Sequence, residues 1–551
     1  MNEDELFDAL RARSERGARR SEEALWAEAE AKAAFPEMPD FVEESGDVAD
    51  AELIELVPIT AAPSRRSWYL AAAAMVAAVV LGIGVLLPRL STESELAVED
   101  PDGASVLADA PDAEVEDPPT SQEELVESPT TGRQITVGIF DDELGAQIQE
   151  LTPDRFTPES DISVTFVELE ETDIGDLFSL ALTPTENAVD VILLNSFEVS
   201  QFGANGLLQN LSPLVEADAS YDLDDILPSI RAVNSVDGQL YGLPVSGESS
   251  FFMVNWRFLD NAIVSLPDEP TWEQIAALAA ALDTEDVAGI CLNSTAGWDE
   301  LGASLTTVVN TFGGTWWEAN ADGTPGEPQI NQADSGFRAA TQFYVDLLQN
   351  FGPDEPAGND STDCSELLGS GEVSMWFGPT TAAGDLQELS FANSFDLGVA
   401  AAPVGPTGLP GGGLSSQSFA IPRESPNSEA AGEFIRWATS QEFIELVGER
   451  IFWSEVPSGT RLSTYETPGY QAATESFSQQ ALNEFLIADP NNPGTAARPG
   501  LAGVEYVGIP EFPDVANRCT AEIVLAIDGA QSVDDALDAC QAIASEVSQQ
   551  G

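Results

Sequence analysis

Residues 237–255 read DGQLYGLPVSGESSFFMVN, and how this stretch is parsed decides the fold. Asp237-Gly238 is a turn dipeptide of the kind that closes hairpins. An apolar run with Tyr241 and Leu243 follows, Pro244 removes a ladder donor, and the polar residues Ser246 to Ser250 lead into a second apolar run, FFMVN. Two strand-like segments therefore flank a polar passage that carries one carboxylate, Glu248. The rest of the sequence has to explain why a chain would leave one strand, pass that carboxylate and enter another.

On either side of this stretch, residues 134–551 alternate strand-like and helix-like segments. QITVGIF reads as a first strand, ISVTFVEL as a second and AVDVILLN as a third, with helical segments between them. TWEQIAALAAAL, SGFRAATQFYVDLLQN and SEAAGEFIRWATSQEFIELVGE carry apolar residues at helical spacing. That order predicts α/β units around a largely parallel sheet, and no tandem repeat is present.

The stretches DGQLYGLPVSGESS, PTWEQIAALA, GICLNSTAGWDE, NTFGGTWW, CSELLGSGEVSMWFGPTTAAG, FIRWATSQEFIELVGE, VPSGTRLSTY, IADPNNP and EYVGIPEF follow one another along nearly all of residues 134–551. In these residues the chain resembles the family 1 extracellular solute-binding proteins of ABC importers, the maltose-binding-protein-like group, and within it the sorbitol/mannitol-binding branch. The resemblance implies an α/β, two-lobed periplasmic-binding-protein fold of type II, the Venus-flytrap form, with ligand held between the lobes. It places lobe 1 at about 134–244 and 418–470, and lobe 2 at about 247–415 and 471–551. YGLP would then complete the first lobe's contribution, the residues after it would cross the hinge, FFMVN would begin the second lobe, and SFAIP at 418–422 would mark the return. Glu248 would lie at the cleft; a solvated turn glutamate is the plain alternative.

A polyhydroxylated ligand presents hydroxyls that both donate and accept, and C–H faces that are moderately apolar. Carboxylates and amides satisfy the former and aromatic rings cover the latter. On the matching segments, the resemblance points to Glu248 and Glu300 as hydroxyl acceptors, Trp298 and Trp316 as ring platforms and Thr380 as a hydroxyl partner. Adjacent Trp316 and Trp317 in a strand would face opposite ways, so at most one would reach a ligand. Two departures separate the chain from the branch's polyol pattern. FGPTT, with Gly378 and Pro379, stands where an aspartate is usual after MW, and GGGLSSQ stands where a Trp-rich segment is common. Thr380, Ser416 and Gln417 are the hydroxyl and amide groups available to replace those contacts, so the resemblance implies a small hydroxylated solute more firmly than a named one. The run Gly411–Gly413 lacks the spacing, the strand-to-helix setting and the lysine of a phosphate loop, and carries no nucleotide role.

Composition narrows the chemistry. The 551 residues are too many for one ordinary core. The formal charge is −75, from 95 acidic and 20 basic residues, and Lys32 is the one lysine. Nucleic acid is excluded as a partner, because phosphate neutralisation needs cations that this chain does not carry. The acidity runs along the whole chain; at molar salt, where the Debye length falls to about 3 Å, its self-repulsion would be screened, which suits a saline habitat, with a cation-binding role as the alternative. There is no histidine, so Ser-His-Asp and Cys-His catalysis are absent and the commonest metal ligand is missing. No cofactor and no metal site is expected.

Residues 68–87, WYLAAAAMVAAVVLGIGVLL, are twenty uncharged residues, about what a hydrocarbon core requires. Seven of the first 66 residues are arginine, whereas Arg89 alone follows the run before Arg133. By the positive-inside rule, residues 1–66 are a cytoplasmic segment, 67–88 a single transmembrane helix and the mass beyond it extracellular. The long stretch before the apolar run argues for an uncleaved signal anchor over a secretory signal peptide, and no cysteine follows it for lipid attachment. Residues 1–35 suit a short amphipathic helix, and 89–133, rich in Asp, Glu, Pro, Ser and Thr, reads as a disordered acidic linker. All four cysteines lie after the membrane segment, where an even count favours disulfides. DVANRCTAEIVLAID and SVDDALDACQAIASEV read as a helical hairpin in which Cys519 and Cys540 lie about 12–14 Å from the turn and should meet. Cys291 and Cys364 then pair by elimination, as the resemblance also implies.

The expected function is capture of a sugar, polyol or similar solute in the interlobe cleft and its delivery to the permease subunits of an ABC transporter, without bond-breaking. Two other classes stay open: an extracellular sensor that signals through residues 1–66, and a glycosidase working with two carboxylates.

Overall fold

The computed structural model describes residues 133–169, 189–333, 335–393 and 396–548. The expected cytoplasmic segment, the transmembrane helix and the linker up to residue 132 lie outside the described residues. Among the described residues no helix is long and apolar enough to cross a membrane.

Strand β1 (Arg133–Phe140) pairs in parallel with β2 (Ile162–Leu169) and with β3 (Val191–Asn195), as their apolar patterns predict. The opening stretch behaves differently from its two-strand reading. After a short hairpin in which Asp237 (φ 51°) and Gly238 (φ 73°) form the turn, Leu243–Asn255 is one continuous thirteen-residue strand, β4. Pro244 does not end it. The register against the partner strand steps from Ser246–Gln417 to Pro244–Ser418, which leaves Val245 over as a bulge, the setting in which a sheet tolerates a proline.

Strands β5 (Met375–Pro379), β6 (Leu397–Ala400) and β7 (Leu414–Ala420) complete a seven-stranded sheet. The first half of β4 pairs with β7, which pairs in turn with β3, whereas the second half is flanked by β5 and β6. Thus β4 runs without a break from one half of this sheet into the other, and β7 runs the opposite way beside its first half. The mixed α/β two-lobed architecture is the expected one, with antiparallel crossing strands added to its parallel core.

The FFMVN run is apolar throughout because it is covered on both faces. Phe251 and Met253 belong to a core that continues from β1, β3 and β7, while Phe252 and Val254 belong to a second core under the helices Trp272–Leu282, Leu301–Thr311 and Gly336–Phe351. A capping box of Thr271 and Gln274 starts the first of these helices. The segment from Ser428 to Arg450 divides into two helices at Thr439, with Ser440 accepting from the Phe443 amide to cap the second. The helix Ser478–Ile487 packs on the first core, where Ser229 Oγ donates to the Phe485 carbonyl at 2.7 Å.

Helices Phe512–Ile527 and Val533–Val547 form the expected antiparallel hairpin, tied by Cys519–Cys540 with Cα atoms 4.7 Å apart. Cys291–Cys364 is the second disulfide, at 5.6 Å.

Candidate functional site

A cavity of about 490 Å³ opens where β4 and β7 cross. The first lobe contributes the start of the helix Glu143–Leu151, the end of β3 and the 454–458 loop. The second lobe contributes the turn ahead of Leu301–Thr311 and the 380–385 segment, and the paired strands β4 and β7 supply Ser246, Glu248 and Ser415 to Gln417 between them. The volume lies within the range of small-molecule pockets.

Five of the six expected ligand-binding residues line this cavity. Glu248 stands opposite Ser415 on the crossing strands, and its Oε2 accepts from Thr381 Oγ1 at 2.7 Å. Thr380 follows β5; its Oγ1 accepts from the Ser249 amide at 3.1 Å, which ties the second lobe's wall to the crossing strand. Glu300 holds the N-cap position of the helix Leu301–Thr311 and accepts from Asn293 Nδ2 at 2.5 Å. Gln417 lies between Asn195 on β3 and Ser246 on β4, and Ser246 Oγ reaches its Oε1 at 3.5 Å. The half-buried Trp298 ring lies 5.2 Å from the ring of Phe197, which follows β3 in the first lobe.

Trp316 is not in the cavity. It is 0 % exposed in the second core, where its Nε1 donates to Thr306 Oγ1 at 2.9 Å and its ring meets the edges of Phe337 and Phe512. Trp317 is buried beside it, with ring centroids 6.4 Å apart in a stacked arrangement. The alternation argument does not apply to the pair, because Trp316 precedes the short strand Trp317–Ala319, and neither ring reaches the cleft.

The structure adds residues that pattern reading did not single out. Phe197 and Tyr506 pack edge to face at 5.2 Å and join Trp298 in an aromatic cluster that bridges the lobes. Glu505 lines the cavity, and burial, reinforced by the nearby Glu248 charge, pushes its carboxyl up to about 8. Both residues open EYVGIPEF, one of the segments that carry the resemblance, and that was their available signal. Glu143, Asp385 and Glu455 had none in a chain so rich in acids. Their carboxylate oxygens lie within 4.8 Å of one another at the cavity wall, a hard-cation donor set on exposed and half-exposed side chains. A hydrogen bond to Glu143, followed by burial and the Glu143 charge, pushes Glu455 up to about 7, and burial together with Glu455 and Glu388 raises Asp385. The pairing of acceptors with aromatic faces can bind hydroxylated molecules.

Comparison with known proteins adds to this geometry. Residues 141–443 match the family described as bacterial extracellular solute-binding protein. The chain is 33% identical over 384 residues to a mannitol-binding protein of Pseudomonas aeruginosa, covering 69% of this chain and 85% of that one. It is 23% identical over 351 residues to an erythritol/L-threitol-binding protein of Mycolicibacterium smegmatis, covering 60% and 72%. A crystal structure of an ABC transporter solute-binding protein from Agrobacterium vitis with bound D-mannitol superposes with a TM-score of 0.68 at 32% identity, covering 76% of this chain and 99% of that one.

Proposed function

The chain belongs to the bacterial extracellular solute-binding protein family, and on that premise we infer that it captures a small polyol or sugar in the interlobe cavity and hands it to an ABC permease. The observation that carries this reading is the cavity at the β4–β7 crossing, where carboxylates and amides from both lobes surround one accessible tryptophan face. Such a ligand satisfies both walls only when they come together. Contacts made only in the closed state shift the population toward it, and a permease can read that shift.

Binding is what the similar proteins' names describe, and capture without covalent chemistry is the role we assign here. We further infer that residues 67–88 anchor the chain in the membrane with the cleft outside, and that 89–132 tether it, the expected linker losing Arg133 to the start of β1. A tether of that length keeps the cleft at roughly millimolar effective concentration near a permease. The uniform acidity supports operation in a saline medium.

The test is a thermal-shift panel on the full-length protein in high salt, with D-mannitol, D-sorbitol, ribitol, erythritol and maltose. A ligand at one hundred times its Kd stabilises the folded state by about 2.7 kcal/mol, so a true ligand raises the Tm in proportion to the logarithm of its concentration. No shift with any polyol or sugar would end the reading.

A further inference from the structure

We propose that the Glu248–Glu505 pair is a subsite for a protonated amine, so that the ligand is an amino-substituted polyol or sugar. This deepens the reading of the cavity as a polyol site and rests on it.

The first ground is an imbalance of charge. Eight of the residues that line the cavity are Asp or Glu, and none among the described residues is Lys or Arg. In a cleft that expels water as it closes, like charges repel more strongly than at a solvated surface. A neutral polyol relieves none of that repulsion, and an anion adds to it.

The second ground is placement. Glu248 stands opposite Ser415, and two residues earlier on the same strand approach a Cβ on Gly413 would lie closer than 3.0 Å to the Glu505 carboxyl. Glycine at 413 is therefore what lets Glu505 reach the crossing, which gives that part of the Gly411–Gly413 run a purpose. The Leu414 amide also hydrogen-bonds the Glu505 carboxyl. The two carboxylates are thus brought together from separate parts of the chain at the place where the lobes pivot. Burial first, and the Glu248 charge second, favour the protonated Glu505 carboxyl when no cation is bound.

The third ground is independent of the acids. Gln147 is 6 % exposed and lines the same cavity; its Nε2 donates to the Glu455 carbonyl at 3.0 Å, but its Oε1 accepts nothing. An orphaned acceptor in a wall already rich in acceptors calls for a ligand with donors in excess. An ammonium has three donors and no acceptor, and the adjoining hydroxyls supply the rest. The half-buried Trp298 ring covers a C–H face in this arrangement, as it would for a neutral polyol.

Isothermal titration calorimetry of the full-length protein at pH 7 with three six-carbon probes of one skeleton tests this: D-sorbitol, 1-amino-1-deoxy-D-sorbitol and D-gluconate. We expect the amine to bind at least tenfold tighter than sorbitol, gluconate to give no heat, and the amine alone to release a proton, read from the dependence of heat on buffer ionisation. Glu505→Gln should remove both the proton release and the tenfold preference, read as the ratio of amine to sorbitol affinity within the same variant; Glu248→Gln, read by the same ratio, serves if that variant does not fold. Sorbitol binding as tightly as the amine overturns the subsite and leaves the polyol reading intact. Silence from all three probes overturns both.

Discussion

Gly247 and Gly459 lie against each other at the point where β4 passes between the lobes. The Gly247 amide donates to the Ser458 carbonyl at 2.9 Å, and a Cβ on either glycine would come closer than 3.0 Å to the other's backbone carbonyl. Gly459 also has φ +78°, a conformation that disfavours side chains. Gly247→Ala should therefore destabilise the fold by about 1–3 kcal/mol through overpacking alone. Gly238→Ala, at a turn glycine with φ 73° and open space around it, should cost about 1 kcal/mol from backbone conformation. Urea midpoints compare the two. An unchanged midpoint in Gly247→Ala would mean that the crossing is looser than the contact implies.

The two tryptophans that the sequence treats alike should respond in opposite ways. Trp298→Ala removes a ring that faces the cavity and should weaken binding of the polyol with the largest thermal shift by about tenfold, in line with a loss of about 1–1.5 kcal/mol for an aromatic contact, with the fold intact. Trp316→Ala empties a fully buried site and should cost about 3–5 kcal/mol of stability, while the folded fraction keeps its affinity. Calorimetric titration and denaturant unfolding on both variants separate these outcomes, and a stable Trp316→Ala that fails to bind would return Trp316 to the cleft.

That contrast shows where local pattern stops. Strands β1 and β3 were legible because parallel strands covered on both faces are short apolar runs, β2 because its β-branched and aromatic residues mark a strand even at the sheet edge, and the hairpin of Cys519 and Cys540 was legible because helical rise fixes how far each sulfur lies from the turn. Pro244 misled because a bulge depends on the partner strand, which local sequence does not reveal. Glu248, Trp298, Glu300 and Thr380 were legible because they sit on segments matching a known family, and Gln417 as an amide on a segment that departs from it, just ahead of the expected return strand. Trp316 sits on one too and went to the core, since a matching segment carries packing residues as well as ligand residues. Glu505 was missed because its carboxyl reaches the crossing only past Gly413, from another part of the chain.

The two disulfides should differ in weight. Cys291–Cys364 closes a loop of 73 residues and Cys519–Cys540 one of 21. By chain entropy the first should contribute about 4 kcal/mol and the second about 3 kcal/mol. Paired Cys→Ser variants, unfolded in urea, should rank in that order. A larger loss at 519/540 would mean that native-state packing in the helical hairpin, and not loop closure, sets the contribution.

Glu505 should make stability depend on pH in a direction opposite to that of a salt-bridged carboxylate. Its ordinary value is 4.5, and in the folded chain burial, with Glu248 adding to it, pushes it up to about 8. Between those limits the folded chain holds a proton that the unfolded chain has released, so stability falls as pH rises and levels off above the folded value. The slope from this one group approaches about 1.4 kcal/mol per pH unit inside the window. Glu455, pushed up to about 7, acts with the same sign over a narrower range. General repulsion in a chain of charge −75 also lowers stability with rising pH, so the decisive quantity is a difference. Wild type minus Glu505→Gln, measured by urea unfolding at pH 5.5, 6.5, 7.5 and 8.5 in molar salt, should fall steadily to pH 8 and then flatten. A difference independent of pH would mean that Glu505 is already ionised in the folded protein at pH 5.5, and the carboxyl would then need a compensating partner at the crossing.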